Sequence, residues 1–495
     1  MKTYHAIFIG GNKWLQGGVP IAGYRLRTSV QKYGYDMLVL DSAVVMSQEQ
    51  LLKILTQVVG EDTLVIGIST VWLDGYNMNS IEWLTDSFLT EIKERFPSVK
   101  LVAGGPAESF VVGSAKIKRH ADWLVTGFSD DSFPKLLNYL SGKKDHGLKY
   151  FVENSKRIID SNTMHIVKNP DDVETVFAKS DNFLPHQPLP LEVSRGCIFR
   201  CSFCNHPFQG AKNADDYIRT PESLATELKR NYELFGTTRY TILDDTFNDS
   251  MEKLDRLHRA IDISGIPDFK FVSYIKPELL VTKPEMIDKL IALGFAGGHV
   301  GVESINDKAR KVMRKGMSID KVNDAIRLLN QKSKSKINAT FIVGLPDDSI
   351  ENMYKTHDFL VETQHELYSS WRFFPLGLFY DKDLNGLSEL DKDPEKFGYT
   401  ILSKKPDSIA LWKNEHMTMD QAVACANDLN AKAEDYNLVS GWWLATSWYL
   451  NIPEIELSKT MRELTLFTAA KRYLIDRATE VTKYFDEQGN SNDSA

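Results

Sequence analysis

Three of the four cysteines of this 495-residue chain fall within eight residues. Cys197, Cys201 and Cys204 stand in a C-x3-C-x2-C pattern that follows the apolar start of Leu191-Glu-Val-Ser-Arg-Gly. A disulfide framework needs an even set of dispersed cysteines, whereas clustered thiolates are ligands for soft metal centres, iron–sulfur or zinc. A closed site takes four protein ligands. The remaining cysteine, Cys425, lies far away in a stretch with helical patterning, so the set leaves one metal position open to an outside ligand. The competing arrangement is zinc completed by His206, which follows Cys204 more closely than zinc-finger spacing requires.

The cysteine spacing resembles the signature of the radical SAM superfamily. That resemblance implies a [4Fe–4S] cluster held by Cys197, Cys201 and Cys204, with the open iron chelated by the amino and carboxylate groups of S-adenosylmethionine. It also carries over to strand ends. Phe203 would offer backbone contacts to adenine, Asp245 in Asp244-Asp245-Thr-Phe247 would meet the methionine amino group, and Ser273 would close the third strand. Glu303 belongs to Gly301-Val-Glu-Ser304, a segment whose carboxylate helps hold the cosubstrate, and Ile342 lies in Phe341-Ile-Val-Gly-Leu-Pro346, which would pack beside adenine. A carboxylate leaving a buried apolar strand is costly unless something cationic pairs with it, which favours a functional Glu303. Arg314 and Lys315 fit either the methionine carboxylate or a solvated helix end and stay outside the assigned set.

The elements that must position these residues read as α/β. From the N-terminus, five short apolar runs (5–9, 36–40, 64–68, 101–103, 123–125) alternate with amphipathic ones, which predicts a five-stranded parallel sheet covered by helices. Such sheets bind ligands at the carboxyl ends of their strands. Gly10-Gly11 lacks the third glycine of a dinucleotide fingerprint, so an NAD site falls behind. Ser69-Thr70 after the third run and Gly104-Gly105-Pro106 after the fourth, directly before the cysteine region, resemble the cobalamin-binding domain of B12-dependent radical SAM enzymes. The resemblance implies that Ser69, Thr70, Gly104, Gly105 and Gly127 line the cobalamin channel and that Trp72 covers the lower face of the corrin. The Asp-x-His-x-x-Gly signature that ligates cobalt elsewhere is absent, and Gly127-Phe-Ser-Asp-Asp131 departs from the family's acidic turn.

After a proline-rich crossing at 141–190, the alternation resumes with strands starting near 191, 239, 270, 298, 337 and 371, the six expected of a radical SAM partial (β/α)6 barrel. The expected boundaries are therefore 1–140, a Rossmann-like cobalamin-binding domain; 141–190, an interdomain segment; 191–375, the cluster-bearing core; and 376–495, a mainly helical substrate-capping region. That last region contains Trp442, Trp443 and Trp448 and ends in a polar tail expected to be disordered.

A formal net charge of −8 gives no electrostatic case for bulk nucleic-acid binding, and no apolar run is long enough to span a membrane. Few cysteines and a thiolate-held cluster suit a reducing, cytoplasmic setting. The resemblance implies reductive cleavage of S-adenosylmethionine to a 5′-deoxyadenosyl radical and a cobalamin-dependent methyl transfer to an unactivated centre of a small molecule or peptide. It also implies an electron donor such as flavodoxin or ferredoxin. Alternatives are a B12-binding radical SAM enzyme catalysing a cyclisation, ring contraction or other rearrangement, and a non-catalytic corrinoid-binding module. A methylthiotransferase would want further cluster cysteines before Cys197, where the chain has none.

Overall fold

The computed structural model describes residues 2–11, 19–70, 81, 83–106, 115–161, 169–181, 183, 187–205, 213–363, 366–404, 408–437 and 459–490. Strands β1 (Ala6–Ile9), β2 (Met37–Leu40), β3 (Val65–Ser69), β4 (Lys100–Gly105) and β5 (Trp123–Thr126) pair in parallel in the order β2-β1-β3-β4-β5. β1, β3 and β5 are buried along their whole length, as continuous apolar runs must be when helices cover both faces of a sheet. Helix Gln48–Val58 shows how local sequence sets an element: Ser47 and Gln50 form a reciprocal capping box, and Leu51, Ile54, Leu55 and Val58 bury one face. With β1 between β2 and β3, chain direction across the sheet reverses there, and ligands of open α/β sheets bind outside such a point.

The sheet has seven strands rather than the expected five. β6 (Phe151–Glu153) and β7 (Lys156–Asp160) form a hairpin through Asn154 and Ser155, both at positive φ, and β7 runs parallel to β5. The first part of the expected crossing segment therefore belongs to the N-terminal sheet. Its strands escaped notice because β6 is wholly exposed and β7 is charged at three of its five positions, so neither shows an apolar run.

Strands β8 (Leu189–Leu191), β9 (Arg239–Ile242), β10 (Lys270–Tyr274), β11 (Phe295–Glu303), β12 (Lys336–Val343) and β13 (Ser370–Pro375) pair in parallel and in chain order, an open six-stranded barrel with helices outside. Helix Pro221–Phe235 starts at the Thr220 cap with proline in its first turn and ends at left-handed Gly236. Phe271, Val300, Val302, Phe341, Trp371 and Phe373 face the helices in the main core. Beyond the barrel, β14 (Thr400–Ser403) and β15 (Leu411–Lys413) pair antiparallel.

The free edge of β13 is closed by side chains. Asn430 accepts from the Phe373 amide (2.8 Å) and donates to its carbonyl (2.8 Å); Asn437 does the same for Trp371 (2.8 and 2.9 Å). Each amide thus replaces a missing strand partner. The terminal helix, Lys459–Asn490, runs back to the N-terminal domain: Leu474 joins the barrel core, whereas Ala478 and Phe485 join the core under the first sheet. Arg477 pairs with Asp41 at 3.0 Å at the end of β2. The expected disordered tail is helical as far as Asn490. Trp442, Trp443 and Trp448 lie outside the described residues, as does His206.

Candidate functional site at the barrel mouth

The cysteine loop leaves the carboxyl end of β8 and is pinned on several sides. The Ser202 amide donates to the Met313 carbonyl (3.4 Å), and the Leu390 amide, from the short helix Glu389–Lys392, donates to the Ser202 carbonyl (2.9 Å). All three cysteines are half-buried and outside any disulfide. Cys197 Sγ receives the Phe199 amide at 3.5 Å and lies 3.4 Å from Thr246 Oγ1. Burial pushes its thiol up, and these two donors pull the other way. Donors aimed at sulfur stabilise thiolate and tune a bound cluster. Among the described residues, no three His, Cys, Asp or Glu side chains converge tightly enough for one ion. A cluster of several irons is held by thiolates on separate metals, and three cysteines supply such a donor set. Cys425 takes no part: it is buried among Ala422, Ala426 and Leu429, where burial pushes its thiol up to about 11.

Glu303 sits at the end of β11 with φ +69°, after a register shift between Gly301 and Glu303 that turns its side chain out of the strand's regular alternation. Lys315 comes back to it from the turn after helix Asp307–Val312, with Nζ 3.1 Å from the carboxylate and 2.9 Å from the Gly301 carbonyl. Burial would lower the Lys315 pKa, but Glu303, Glu278 and Cys201 more than offset it, so the ammonium stays charged. A Cβ at 301 would lie 2.1 Å from Glu303 Oε1, so any larger residue there must push that carboxylate off its lysine-paired position. Beneath this pair, buried Arg310 donates to the Val302 carbonyl (2.6 Å) and to Glu278 (2.8 Å). Lys315, left aside in the sequence, is thus the buried partner whose absence would make Glu303 untenable. Its one signal was a cation twelve residues after a buried carboxylate.

The two aspartates after β9 separate. Asp244 is fully buried, accepting from the Val193 amide (2.8 Å) and Ser194 Oγ (2.7 Å) and lying 3.2 Å from Lys253, so it ties the ends of β8 and β9 together. Asp245 is half-buried, and its charge helps raise both Cys197 and Tyr274. It caps no helix, since Met251–Ser264 is capped by Ser250. Ser273 is buried on the row of Phe271, with no hydrogen-bond partner for its hydroxyl among the described residues. Phe203 lies under Lys315, ring centroid 5.8 Å from Nζ, and Ile342 is half-buried in register with exposed Phe374.

A polar row across the barrel's concave face leaves no local trace along the chain. Tyr274 meets His299 edge-on (5.0 Å), Asn338 Nδ2 lies 2.8 Å from His299 Nδ1, and Ser370 Oγ donates to Asn338 Oδ1 (2.6 Å). Burial holds His299 down at about 4, so the imidazole is neutral at pH 7. A second ionic group was equally hidden. Asp130, in the turn after β5, accepts from Arg25 (2.8 Å) and from Arg195 (2.5 Å), two residues before Cys197, and Arg195 also holds Glu192 at 2.6 Å. Burial alone would raise Asp130, but the two guanidiniums hold it at about 2. The first sheet is thereby bolted to the root of the cysteine loop.

At the first sheet's carboxyl edge, Ser69 stands in register with Gly104 and Gly105 with Thr126. Thr70 uses its amide (2.8 Å) and hydroxyl (3.1 Å) on the Gly104 carbonyl, and the Gly127 amide donates to Gly105 (2.8 Å). A Cβ built on Gly104 would lie 3.7 Å from the Val125 carbonyl, an ordinary van der Waals contact, so no clash with the described residues demands glycine there. Trp72 lies outside the described residues.

Comparison with known proteins agrees with this geometry. Residues 191–360 match the Radical SAM superfamily. The radical S-adenosylmethionine methyltransferase TsrM from Kitasatospora setae, solved with tryptophan substrate and a SAM analogue, superposes with a TM-score of 0.66 at 15% identity, covering 98% of this chain and 100% of that one. The cobalamin-dependent S-adenosylmethionine radical enzyme OxsB, solved with aqua-cobalamin and S-adenosylmethionine, gives 0.58 at 15% identity over 96% of this chain and 72% of that one. Among curated relatives, the ribosomal protein uS12 methylthiotransferase RimO of Nitratiruptor sp. is 21% identical over 63% of this chain and 66% of its own length. The bacteriochlorophyllide d C-12(1)-methyltransferase of Chlorobaculum tepidum is 24% identical over 46% and 50%. The chain thus spans between half and two thirds of the length of these two relatives. Residues 191–360 are a radical SAM domain, set in a chain whose fold is that of the cobalamin-dependent radical SAM enzymes TsrM and OxsB.

Proposed function

We propose that the chain is a radical SAM enzyme that cleaves S-adenosylmethionine reductively and transfers a methyl group, with cobalamin as carrier, to an unactivated centre of a small molecule. The observation that carries this is the meeting of three cysteine thiols, none in a disulfide, with the strained, lysine-paired Glu303 at one barrel mouth. When bound, the cluster and S-adenosylmethionine supply a 5′-deoxyadenosyl radical and cobalamin supplies a methyl group. The protein's part is to hold and exclude. Cys197, Cys201 and Cys204 would hold the cluster; Glu303, kept in place by Lys315, would accept a hydrogen bond from the methionine ammonium, with Asp245 as a second acceptor. Phe203 and Ile342, with the backbone of Ser273 at the end of β10, would complete the cosubstrate pocket. Ser69, Thr70, Gly104, Gly105 and Gly127 would border the corrin site, with Trp72 as a further candidate, and domain 1–140 would bring that site to the barrel through the Asp130–Arg195 contact. Helix Glu389–Lys392, lying on the cysteine loop, helps exclude water from it.

Similarity to TsrM, a methyltransferase solved with tryptophan as substrate, supports methyl transfer to a small molecule over peptide modification. A non-methylating reaction is the second reading, favoured by a curated relative named as a cyclase, the anaerobic magnesium-protoporphyrin IX monomethyl ester cyclase of Cereibacter sphaeroides, 21% identical over 58% of this chain and 45% of its own length. The test uses protein purified without oxygen from cells supplied with hydroxocobalamin. The expected result is about one corrin per four irons, and reduction in the presence of S-adenosylmethionine should then release 5′-deoxyadenosine. Once an acceptor is supplied, S-adenosylhomocysteine should appear alongside it. Iron without corrin overturns the methyl-transfer reading; 5′-deoxyadenosine without S-adenosylhomocysteine favours rearrangement.

A further inference from the structure

Two rows of side chains cross the concave face of the barrel sheet. One is Tyr274–His299–Asn338–Ser370, neighbours in strand register; the next toward the mouth is Gly301–Thr340–Arg372. Arg372 belongs to this face because its neighbours are committed to the other. Trp371 is 0% exposed and stacks on Tyr436 (6.5 Å between centroids), and Phe373 is 1% exposed and stacks on Phe341 (5.3 Å). Successive residues of a strand point to opposite faces, so the guanidinium projects into the barrel. Two positions on, Phe374 projects the same way and is 52% exposed.

Most cations around this mouth are matched: Lys315 with Glu303, Arg310 with Glu278, Arg195 with Asp130 and Glu192, Lys253 with Asp249. Arg372 is half-buried, yet it makes no ion pair or hydrogen bond with any described residue. A partly desolvated guanidinium without an acceptor is unfavourable, and its rigid fork of donors matches a carboxylate or a phosphate.

We infer that Arg372 is a specificity residue that receives a carboxylate or phosphate of the substrate, with Phe374 flanking the substrate's apolar part. This rests on the proposed reading of the barrel as a radical SAM active site, and names its substrate class as a small organic acid or phosphate ester. The alternative source of the same anion is the methionine carboxylate. The position of Arg372 on edge strand β13, two strands from the Glu303–Lys315 pair on β11 and its following turn, favours the substrate.

The test is calorimetric titration of the anaerobic, cluster-loaded full chain with three matched pairs: phenylpropionate and its amide, indole-3-propionate and its amide, phenyl phosphate and phenol. S-Adenosylmethionine is titrated separately. At least one anion should bind the wild type more tightly than its neutral partner, by about 10- to 100-fold. That preference should vanish in Arg372→Gln and Arg372→Ala and survive in part in Arg372→Lys. Arg372→Gln keeps much of the side-chain volume, so it serves if the alanine variant misfolds. Anions binding no better than their neutral partners, or a preference unchanged by Arg372→Gln, overturns the inference. Loss of S-adenosylmethionine affinity in Arg372→Gln, with the panel unaffected, overturns the substrate assignment and gives the anion to the methionine carboxylate. Binding is read without turnover. 5′-Deoxyadenosine release by the same wild-type preparation independently reports whether the underlying enzymatic reading stands.

Discussion

The two sheets offer their carboxyl ends to ligands by opposite means. The barrel mouth is crowded with charge: Glu303 at φ +69°, Lys315 3.1 Å away, Asp245 near Cys197, and Arg310 and Glu278 beneath. The N-terminal edge at Ser69, Gly104 and Gly105 has small residues whose polar atoms are largely spent on neighbouring backbone. A small charged cosubstrate needs preorganised countercharges, whereas a large planar group needs side chains to be missing. The mouth would therefore fail by loss of a charge, and the N-terminal edge by gain of bulk.

Substitutions can break that contrast. Replacing Cys197, Cys201 or Cys204 by Ala should abolish 5′-deoxyadenosine formation and strip the iron, measured by iron analysis, while corrin content stays near wild type. Loss of both cofactors together would show that the two sheet ends are not independent. Gly104→Val should do the reverse, lowering corrin content severalfold with iron retained. Glu303→Gln keeps the shape and removes the charge, so S-adenosylmethionine affinity by equilibrium dialysis should fall about 10- to 100-fold with iron unchanged. Gly301→Ala should fall the same way, because its Cβ would occupy the space of Glu303 Oε1.

The smallest expected effect concerns the bolt between the sheets. Asp130 is held at about 2, below the ordinary carboxylate value near 3.8. A depressed folded-state pKa contributes stability that is complete above the unfolded value and is lost as pH falls from about 4 to about 2. Asp130→Asn should remove that contribution, on the order of 2 kcal/mol at pH 7. Urea denaturation of the cluster-free protein from pH 2 to 6 should then show a flatter acid limb. An unchanged limb would mean that Arg25 and Arg195 are satisfied without this carboxylate.

Much of the scaffold was legible because its signals are local. The βα alternation and the cysteine spacing each occupy a short window. The hairpin of β6 and β7 was not, since an exposed, charged pair of strands has no apolar period to read. Asp244 and Asp245 look alike in sequence. Burial beside Lys253 makes the first a strand tie, while the second stays half-buried within electrostatic reach of Cys197 and Tyr274.

By itself the sequence determined the element types, their order and the three thiols, all properties of neighbouring residues. Only the tertiary structure decided that Lys315 returns to Glu303, that Asp130 crosses to Arg195, that Asn430 and Asn437 close the edge of β13, and that Arg372 faces the barrel without a partner among the described residues. These pairings join residues from different elements. The curvature and register of the sheets set them, and no periodicity along the chain records which strand ends will meet.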